Sequence, residues 1–310
     1  MLSRRQLLSI SATLAAAHAL PLQASVSDAK PAAIVRNIPS SGEALPVIGM
    51  GTSRTFDVAT GDAAAQPLMA VLKTFFAGGG TVIDSSPMYG KAEQRVGDLL
   101  RAMPARPPVF AATKVWTEGR EAGIAQMQQS AQRMAVDRFD LIAVHNLTDW
   151  RTQLDTLKRW KEEGKVRYIG ITTSHGRDHG EFLRVMREEP LDFVQFSYNI
   201  ADRRAEEELL PTAAERGIAT MINRPYQRGE LFSASRGAAL PQVATELGCS
   251  SWGQFFLKFI LGHPAVTCVI PATSSPKHMR DNMQAGVGRV PDTTQRKEML
   301  EAFAALQTKA

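Results

Sequence analysis

Val109-Phe110-Ala111-Ala112-Thr113-Lys114-Val115 is followed by a helix-period stretch over Arg120–Met134 and then by Asp140-Leu141-Ile142-Ala143-Val144-His145. Two short, near-continuously apolar runs flanking an amphipathic segment read as strand, helix, strand, with both strands buried on two faces. The same unit recurs along the chain. Strands are expected at Val47–Thr52, Thr81–Ser85, Val166–Thr172, Phe193–Tyr198, Ile218–Asn223 and Thr267–Pro271. Further helices are expected at Gln66–Ala77, Ala92–Ala102, Arg151–Glu163, Gly180–Glu188, Arg203–Arg216, Ser251–Gly262 and Pro276–Ala285.

Eight strands alternating with eight helices in about 250 residues point to an α/β fold of the closed (β/α)8 TIM barrel type. A doubly wound sheet needs a Gly-rich phosphate turn after an early strand. Gly49-Met50-Gly51 is too short for that turn, and Gly78-Gly79-Gly80 precedes a strand instead of following one. Gly78–Gly80, Gly164, Gly217 and Gly262 sit where left-handed residues end helices. The arms Arg36–Pro39 and Gly42–Pro46 predict an N-terminal hairpin plugging the barrel floor. Tyr226–Gly237 reads as a long loop without a helix, and an extra C-terminal helix is expected past Pro291.

The first thirty residues have a different character. Met1-Leu2-Ser3-Arg4-Arg5-Gln6-Leu7-Leu8 opens an Ala-rich apolar run ending near Ala17, followed by small residues at Ala17-His18-Ala19 and Leu22-Gln23-Ala24. A charged start, a short apolar stretch and small residues are the layout of a secretory leader. The run is shorter than the ~20 residues of a membrane span, so no stable membrane span is expected. The domain organisation expected is a leader with a short linker over 1–30 and a single barrel domain over 31–310.

Of the formal net charge of +5, Arg4 and Arg5 supply two. The remainder is mild, and no basic block or basic-aromatic interleaving points to nucleic acid. Cys249 and Cys268 are the only cysteines. They have neither CxxC nor metal-ligand spacing, so no metal is expected and they read as buried apolar residues.

Barrel chemistry gathers where strands end. The second strand ends in Asp84-Ser85-Ser86-Pro87-Met88-Tyr89-Gly90, the third in Thr113-Lys114-Val115-Trp116, and the fourth in Val144-His145-Asn146. Asp84, Tyr89, Lys114 and His145 are therefore expected on one rim. Singly, each has a structural explanation as a cap, packed aromatic, surface cation or core histidine. Together, Asp84 can balance Lys114, and Lys114 can lower the Tyr89 pKa from about 10 towards working pH. Tyr89 can then donate a proton to a developing alkoxide, with His145 orienting the carbonyl. Met88, Trp116, Phe56 and Trp150 are candidates to line an apolar substrate pocket.

These residues resemble the aldo-keto reductase family. Ile83-Asp84-Ser85-Ser86-x-x-Tyr89-Gly90-x-Ala92-Glu93 and Asp140-Leu141-Ile142-Ala143-Val144-His145 are similar to its motifs, and Asp84, Tyr89, Lys114 and His145 match its catalytic tetrad in order. Pro46–Thr52 looks like the family's first strand, and the resemblance runs from about Arg36 to at least Asn282. It implies NAD(P)H-dependent reduction of small aldehydes or ketones, with NADP(H) favoured over NAD(H) and no Rossmann domain.

The residues it places near the cofactor are Gly51, Thr52, Ser53, Asp84, Thr172, Thr173, Gln195, Asn223, Arg224, Pro225, Arg228 and Gly229. It adds Ile270, Thr273, Ser274, His278, Asp281 and Asn282 at the adenosine end. The chain departs from the pattern where Thr172-Thr173 replaces a Ser-Asn pair and where Asn223-Arg224 stands in place of a stacking aromatic.

Ser3-Arg4-Arg5-x-Leu7-Leu8 likewise resembles a twin-arginine (Tat) signal. That resemblance implies Tat export machinery as a partner, passage in the folded state and a periplasmic location. A nicotinamide-binding, non-catalytic sensor or partner subunit is the alternative function, motivated by the two departures. A lyase using Lys114 as a Schiff base is a third reading.

Overall fold

In the computed structural model, residues 33–59, 61–174 and 176–307 are described. The chain divides into Met1–Pro31 and Ala32–Ala310, and every described residue belongs to the second unit. The leader expected over 1–30 lies outside the described residues.

The strands are β1 (Val35–Asn37), β2 (Ala44–Pro46), β3 (Met50–Gly51), β4 (Val82–Asp84), β5 (Phe110–Val115), β6 (Phe139–His145), β7 (Val166–Thr172), β8 (Phe193–Ser197), β9 (Ala219–Asn223) and β10 (Cys268–Val269). β1 and β2 pair antiparallel. β3 to β10 form one parallel sheet in chain order. The parallel bridges Ile48–Val269 and Gly51–Ala272 join its first and last strands and close the barrel.

Helices follow the strands as α1 (Leu68–Ala77), α2 (Ala92–Arg101), α3 (Arg120–Met134), α4 (Trp150–Glu162), α5 (His179–Glu188), α6 (Leu209–Arg216), α7 (Glu230–Ala234), α8 (Gln242–Glu246), α9 (Trp252–Leu261), α10 (Pro276–Ala285) and α11 (Thr293–Gln307). No helix among the described residues is long and apolar enough to cross a membrane. Both cysteines are free and buried, and burial pushes their thiols up to about 11 for Cys249 and about 12 for Cys268.

Strand periodicity sorts the core into two bodies. Residues of one parity point into the barrel, where Val82, Phe110, Ala112, Leu141, Tyr168, Phe193, Ala219, Met221, Cys268 and Ile270 pack together. Ile38 and Leu45 from the hairpin join this cluster and plug the floor. Residues of the other parity, such as Ile83, Ala111, Ile142, Val144, Ile171 and Val194, pack outward against the helices. Alternation along a strand is the physical cause. Continuing the inward series by one or two residue pairs leads from Val82 to Asp84, Ala112 to Lys114, Leu141 to His145, Phe193 to Gln195 and Met221 to Asn223. Strand parity therefore delivers the polar residues to the inside of the upper rim.

The edge strands are shorter than expected. β10 ends before Pro271, which has no N–H to continue a ladder. Tyr226–Gly237 holds a 3-10 turn and the five-residue α7 where a plain loop was expected. An element that short does not complete the apolar period by which helices are recognised. Gly217 ends α6 at φ +64°, as a left-handed cap, whereas Gly262 follows α9 at φ −67° and is right-handed.

Gly170, inside β7, is glycine because a Cβ there would lie 2.3 Å from the carbonyl oxygen of Phe193. Gly170→Ala is expected to cost about 1–3 kcal/mol through overpacking, read as a lower urea midpoint at unchanged m-value; an unchanged midpoint would contradict this account of the β7–β8 contact.

Candidate active site

Lys114 reaches the inside of the rim from β5 with its side chain fully buried. Its Nζ donates to both carboxylate oxygens of Asp84 and to the carbonyl of Ser85, each at 2.8 Å. Burial alone would depress the ammonium; the charge and hydrogen bonds of Asp84 above all outweigh it and hold the amine above the ordinary lysine value. A Schiff-base role needs a free, neutral amine, and three oxygen partners on a charged Nζ oppose it.

Asp84 is itself held in place. Gln195 donates to its Oδ1 at 3.0 Å, and Thr52 bonds its carbonyl and the Ser85 hydroxyl, both at 2.9 Å. Thr172 donates to the Gln195 carbonyl oxygen at 3.0 Å. Four strands thus contribute to one fixed lattice around the ammonium.

Tyr89 stands on the turn between β4 and α2, and the Lys114 ammonium lies 5.2 Å from its ring centre. The expected lowering of its pKa is overturned. Burial raises it, Lys114 pulls it down, Asp84 pushes it up again, and the balance lies above the ordinary tyrosine value. The physical reason is that the cation beside the phenol is already neutralised by the carboxylate that anchors it, while desolvation of a phenolate is left in full. The phenol is held protonated, the form in which it can give a proton away.

The His145 ring lies 5.8 Å from that of Tyr89, edge-on at 89°. Burial, reinforced by Lys114, pushes the imidazole down to about 3. It is neutral across the physiological range, a hydrogen-bond group and not a cation. Its Nδ1 is 2.9 Å from the hydroxyl of Ser86.

The apolar candidates separate. Met88 and Trp116 are 45% and 41% exposed, unusual for such side chains, and the Trp116 ring is 6.4 Å from that of His145. Phe56 has no exposed surface and belongs to the packed core between barrel and helices. The indole N–H of Trp150, at the start of α4, donates to Glu181 at 3.1 Å, and the guanidinium groups of Arg151 and Arg184 lie over its ring. Phe56 sits in the loop after β3 and Trp150 on a helix, and both belong to the buried core cluster that packs around the barrel.

The residues that the resemblance places near a cofactor divide in the same way. Asn223 accepts from the Ser197 hydroxyl at 2.7 Å and donates to the Thr173 carbonyl at 2.9 Å, tying three strand ends together. The Thr173 hydroxyl donates to the carbonyl of Arg177. Ile270 is buried in the inner barrel cluster. At Gly51 a Cβ would lie 2.8 Å from the carbonyl oxygen of Ile270.

Asp281 accepts from Ser251 and Gln254, both at 2.6 Å. Asn282 accepts from Tyr226 at 2.7 Å. These two side chains bind α10 to α9 and to the loop after β9, so their carboxylate and amide oxygens are engaged within the fold. Thr273 accepts from the backbone of Ser275, and Ser275 caps α10 with Pro276 in its first turn. Ser274, Lys277, His278 and Arg280 are exposed around that helix start.

Two features fit an anionic dinucleotide. Nη1 of Arg224 is buried without a hydrogen-bond partner among the described residues. Arg224 is held at φ +51° just after β9, beside Pro225; burial, with the charges of Arg228 and Arg54, holds its pKa below the ordinary arginine value against the opposing pull of Glu230 and Asp202. A buried donor of this kind is costly unless a ligand oxygen completes it. Arg54 was not anticipated; its signal was a cation two residues beyond Thr52, next to Ser53, in a segment with no recognisable motif. Arg224, Arg228, Arg54 and the backbone at Gly229 would hold phosphates, and Gln195 with Thr172 would face the nicotinamide end.

A protonated phenol and a neutral imidazole beside a buried Lys–Asp pair are groups that can protonate, or donate hydrogen bonds to, an oxygen that gains negative charge. The chain matches the family model described as "Aldo/keto reductase family" over residues 47–299. It belongs to that family, and with it to the NAD(P)H-dependent oxidoreductases. It is 27% identical over 199 residues to Aldo-keto reductase YhdN of Bacillus subtilis (strain 168), a match spanning 59% of this chain and only 59% of that protein. It is 28% identical over 233 residues to Glyoxal reductase of the same organism, covering 73% of this chain and 79% of the relative.

Among solved structures, an aldo/keto reductase from Klebsiella pneumoniae in complex with NADP and acetate superposes with a TM-score of 0.69 at 24% identity. That superposition covers 84% of this chain and 93% of the other, and it shows the shared barrel.

The depressed His145 pKa has a consequence for stability. The unfolded chain takes up a proton at this histidine near pH 6.5, whereas the native chain resists until about 3. Stability from this group is therefore fully present above pH 6.5 and is lost as the pH falls through the window from about 6.5 to about 3, with a slope approaching about 1.4 kcal/mol per pH unit. Urea unfolding at pH 7 and pH 5 is expected to show a steeper loss for the native sequence than for His145→Gln; equal losses would mean that His145 is not held neutral.

Proposed function

We propose that the protein reduces small aldehydes or ketones to alcohols, with Tyr89 as the general acid. The observation that carries this reading is the phenol held in its protonated form beside the fully buried Lys114–Asp84 pair, with a neutral histidine edge-on to it. Reduced nicotinamide, when bound, supplies the hydride for the carbonyl carbon. As the oxygen gains negative charge, Tyr89 delivers its proton to it and His145 donates a hydrogen bond to the same atom. Lys114 acts through Tyr89: its ammonium stabilises the phenolate left behind. Asp84 keeps that ammonium in place, and Gln195 and Thr52 keep Asp84 in place.

Met88 and Trp116 supply the exposed apolar wall of a substrate site that takes a compact carbonyl compound. The relative named for glyoxal reduction supports a small substrate. The cofactor reading favours NADP(H): Lys277, His278 and Arg280 stand exposed around the start of α10, where an additional phosphate would find cations at a helix N-terminus. The NADP bound in the Klebsiella pneumoniae structure is in keeping with that choice.

Tyr89→Phe is expected to lower kcat for carbonyl reduction by about 10²–10⁴-fold while nicotinamide binding, followed by fluorescence, is retained. Full turnover in this variant would remove Tyr89 from the mechanism. Cofactor binding without turnover on any carbonyl in the unaltered protein would favour the sensor reading instead.

We also propose that the chain is exported folded through the twin-arginine route to the periplasm. Arg4 and Arg5 ahead of the short apolar run support it. Replacing both by lysine is expected to leave the protein in the cytoplasmic fraction of a bacterial host; an undiminished periplasmic yield would reject the route.

A further inference from the structure

Ser86 lies on the turn after β4 with no exposed surface. It is two residues from Asp84 and three from Tyr89. Its Oγ is 2.9 Å from Nδ1 of His145, and the backbone N–H of Met88 donates to the same oxygen at 3.2 Å. These two contacts decide the direction of the first.

A hydroxyl has one hydrogen to give and two lone pairs to receive. If Nδ1 carried the imidazole proton, Ser86 Oγ would accept from both Nδ1–H and Met88 N–H, and its own hydrogen would be buried without an acceptor among the described residues. Burying an unsatisfied donor is costly. If Ser86 donates to Nδ1, every group in the set is satisfied: Met88 N–H to Oγ, and Oγ–H to Nδ1. The imidazole is neutral, so it carries one proton, which then sits on Nε2. No group of the described residues hydrogen-bonds Nε2, which leaves that N–H for a ligand.

We propose that Ser86 is a positioning residue that locks His145 in the tautomer with its proton on Nε2, making the imidazole a hydrogen-bond donor towards the substrate oxygen. Which ring nitrogen carries the proton is set by the partner of the other, and Ser86 is that partner. The Met88 N–H has a second function here, because it occupies the serine oxygen as acceptor and turns the hydroxyl hydrogen towards the ring. The turn Ser86-Pro87-Met88-Tyr89 thus couples the orientation of the histidine to the loop that carries the general acid: the Tyr89 N–H also donates to the Ser86 carbonyl, at 3.0 Å. The assignment of a catalytic consequence rests on the carbonyl-reductase reading; the tautomer assignment does not.

The test is long-range 1H–15N correlation spectroscopy on the full-length chain labelled with 15N-histidine, at pH 7 and without substrate. His145 is identified by the signals lost in His145→Gln. The native sequence is expected to show a protonated-type Nε2 and an unprotonated-type Nδ1. Ser86→Ala, a smaller residue that the turn accommodates, is expected to shift His145 towards a mixture of tautomers, and Ser86→Thr, which keeps the hydroxyl, to restore the Nε2–H form. In parallel, kcat of Ser86→Ala is expected to fall about tenfold, the effect of about 1.4 kcal/mol at the transition state, with nicotinamide affinity unchanged.

A proton on Nδ1 in the native sequence, or an Nε2–H form that survives Ser86→Ala, would overturn the proposal. The expected spectra in a protein that reduces no carbonyl would uphold the tautomer lock and instead overturn the function assigned to the site.

Discussion

A fully buried ammonium at the end of β5, bound by two carboxylate oxygens and one carbonyl, sets the terms for the rest of the site. A charge removed from water is tolerated only when it is paired and its hydrogens are used. Lys114 spends its three hydrogens on Asp84 and Ser85, and Asp84 is fixed by Gln195. The consequences reach outward. The neighbouring imidazole is kept neutral, and the neighbouring phenol keeps its proton although a cation lies within 5.2 Å of its ring centre. In the proposed reaction the pair would act less as a source of charge than as a reserve, available once a proton leaves Tyr89 and the phenolate needs a counter-charge.

The barrel makes this arrangement possible by register. Adjacent parallel strands place Lys114 opposite Ala143, His145 opposite Thr172, and Thr172 opposite Gln195. Residues of inward parity fill the floor mostly with apolar side chains and turn polar towards the upper ends of β4 to β9. The hairpin that plugs the floor contributes Ile38 and Leu45 to the same packed body, so the rim is the open end. A one-residue shift in any of these strands would turn its rim residue out against the helices.

The loops after the strands do the remaining work by unusual backbone. Arg54, Asn146, Leu147, Asp149, Arg224, Gln227 and Arg228 all hold positive φ without being glycine, and all lie in segments that follow strands. Left-handed backbone at non-glycine residues is costly and collects at functional rims. Arg224, at such a position, has one guanidinium nitrogen buried without a hydrogen-bond partner among the described residues, a feature that the motif positions alone would not suggest.

Much of this was legible in the sequence. The repeated strand–helix period specified the barrel because near-continuous apolar strands and amphipathic helices reflect how each element is buried, and that is a local property. Asp84, Tyr89, Lys114 and His145 were recognisable as strand-end residues for the same reason, and Arg120–Met134 and Pro276–Ala285 match the observed helices end to end. What the sequence could not provide were properties that depend on several strands at once. The short helices after Tyr226 are held by tertiary packing and lack a full period.

Phe56 and Trp150 read as pocket residues because aromatic character is visible in a sequence and facing direction is not. Asp281 and Asn282 read as ligand contacts, yet their oxygens bind α9 and Tyr226. Above all, the sign of the Tyr89 shift and the proton position on His145 follow from burial and from distances between strands far apart in the chain. Desolvation and hydrogen-bond direction are set by the whole surroundings of a group, and those surroundings exist only once the barrel has closed.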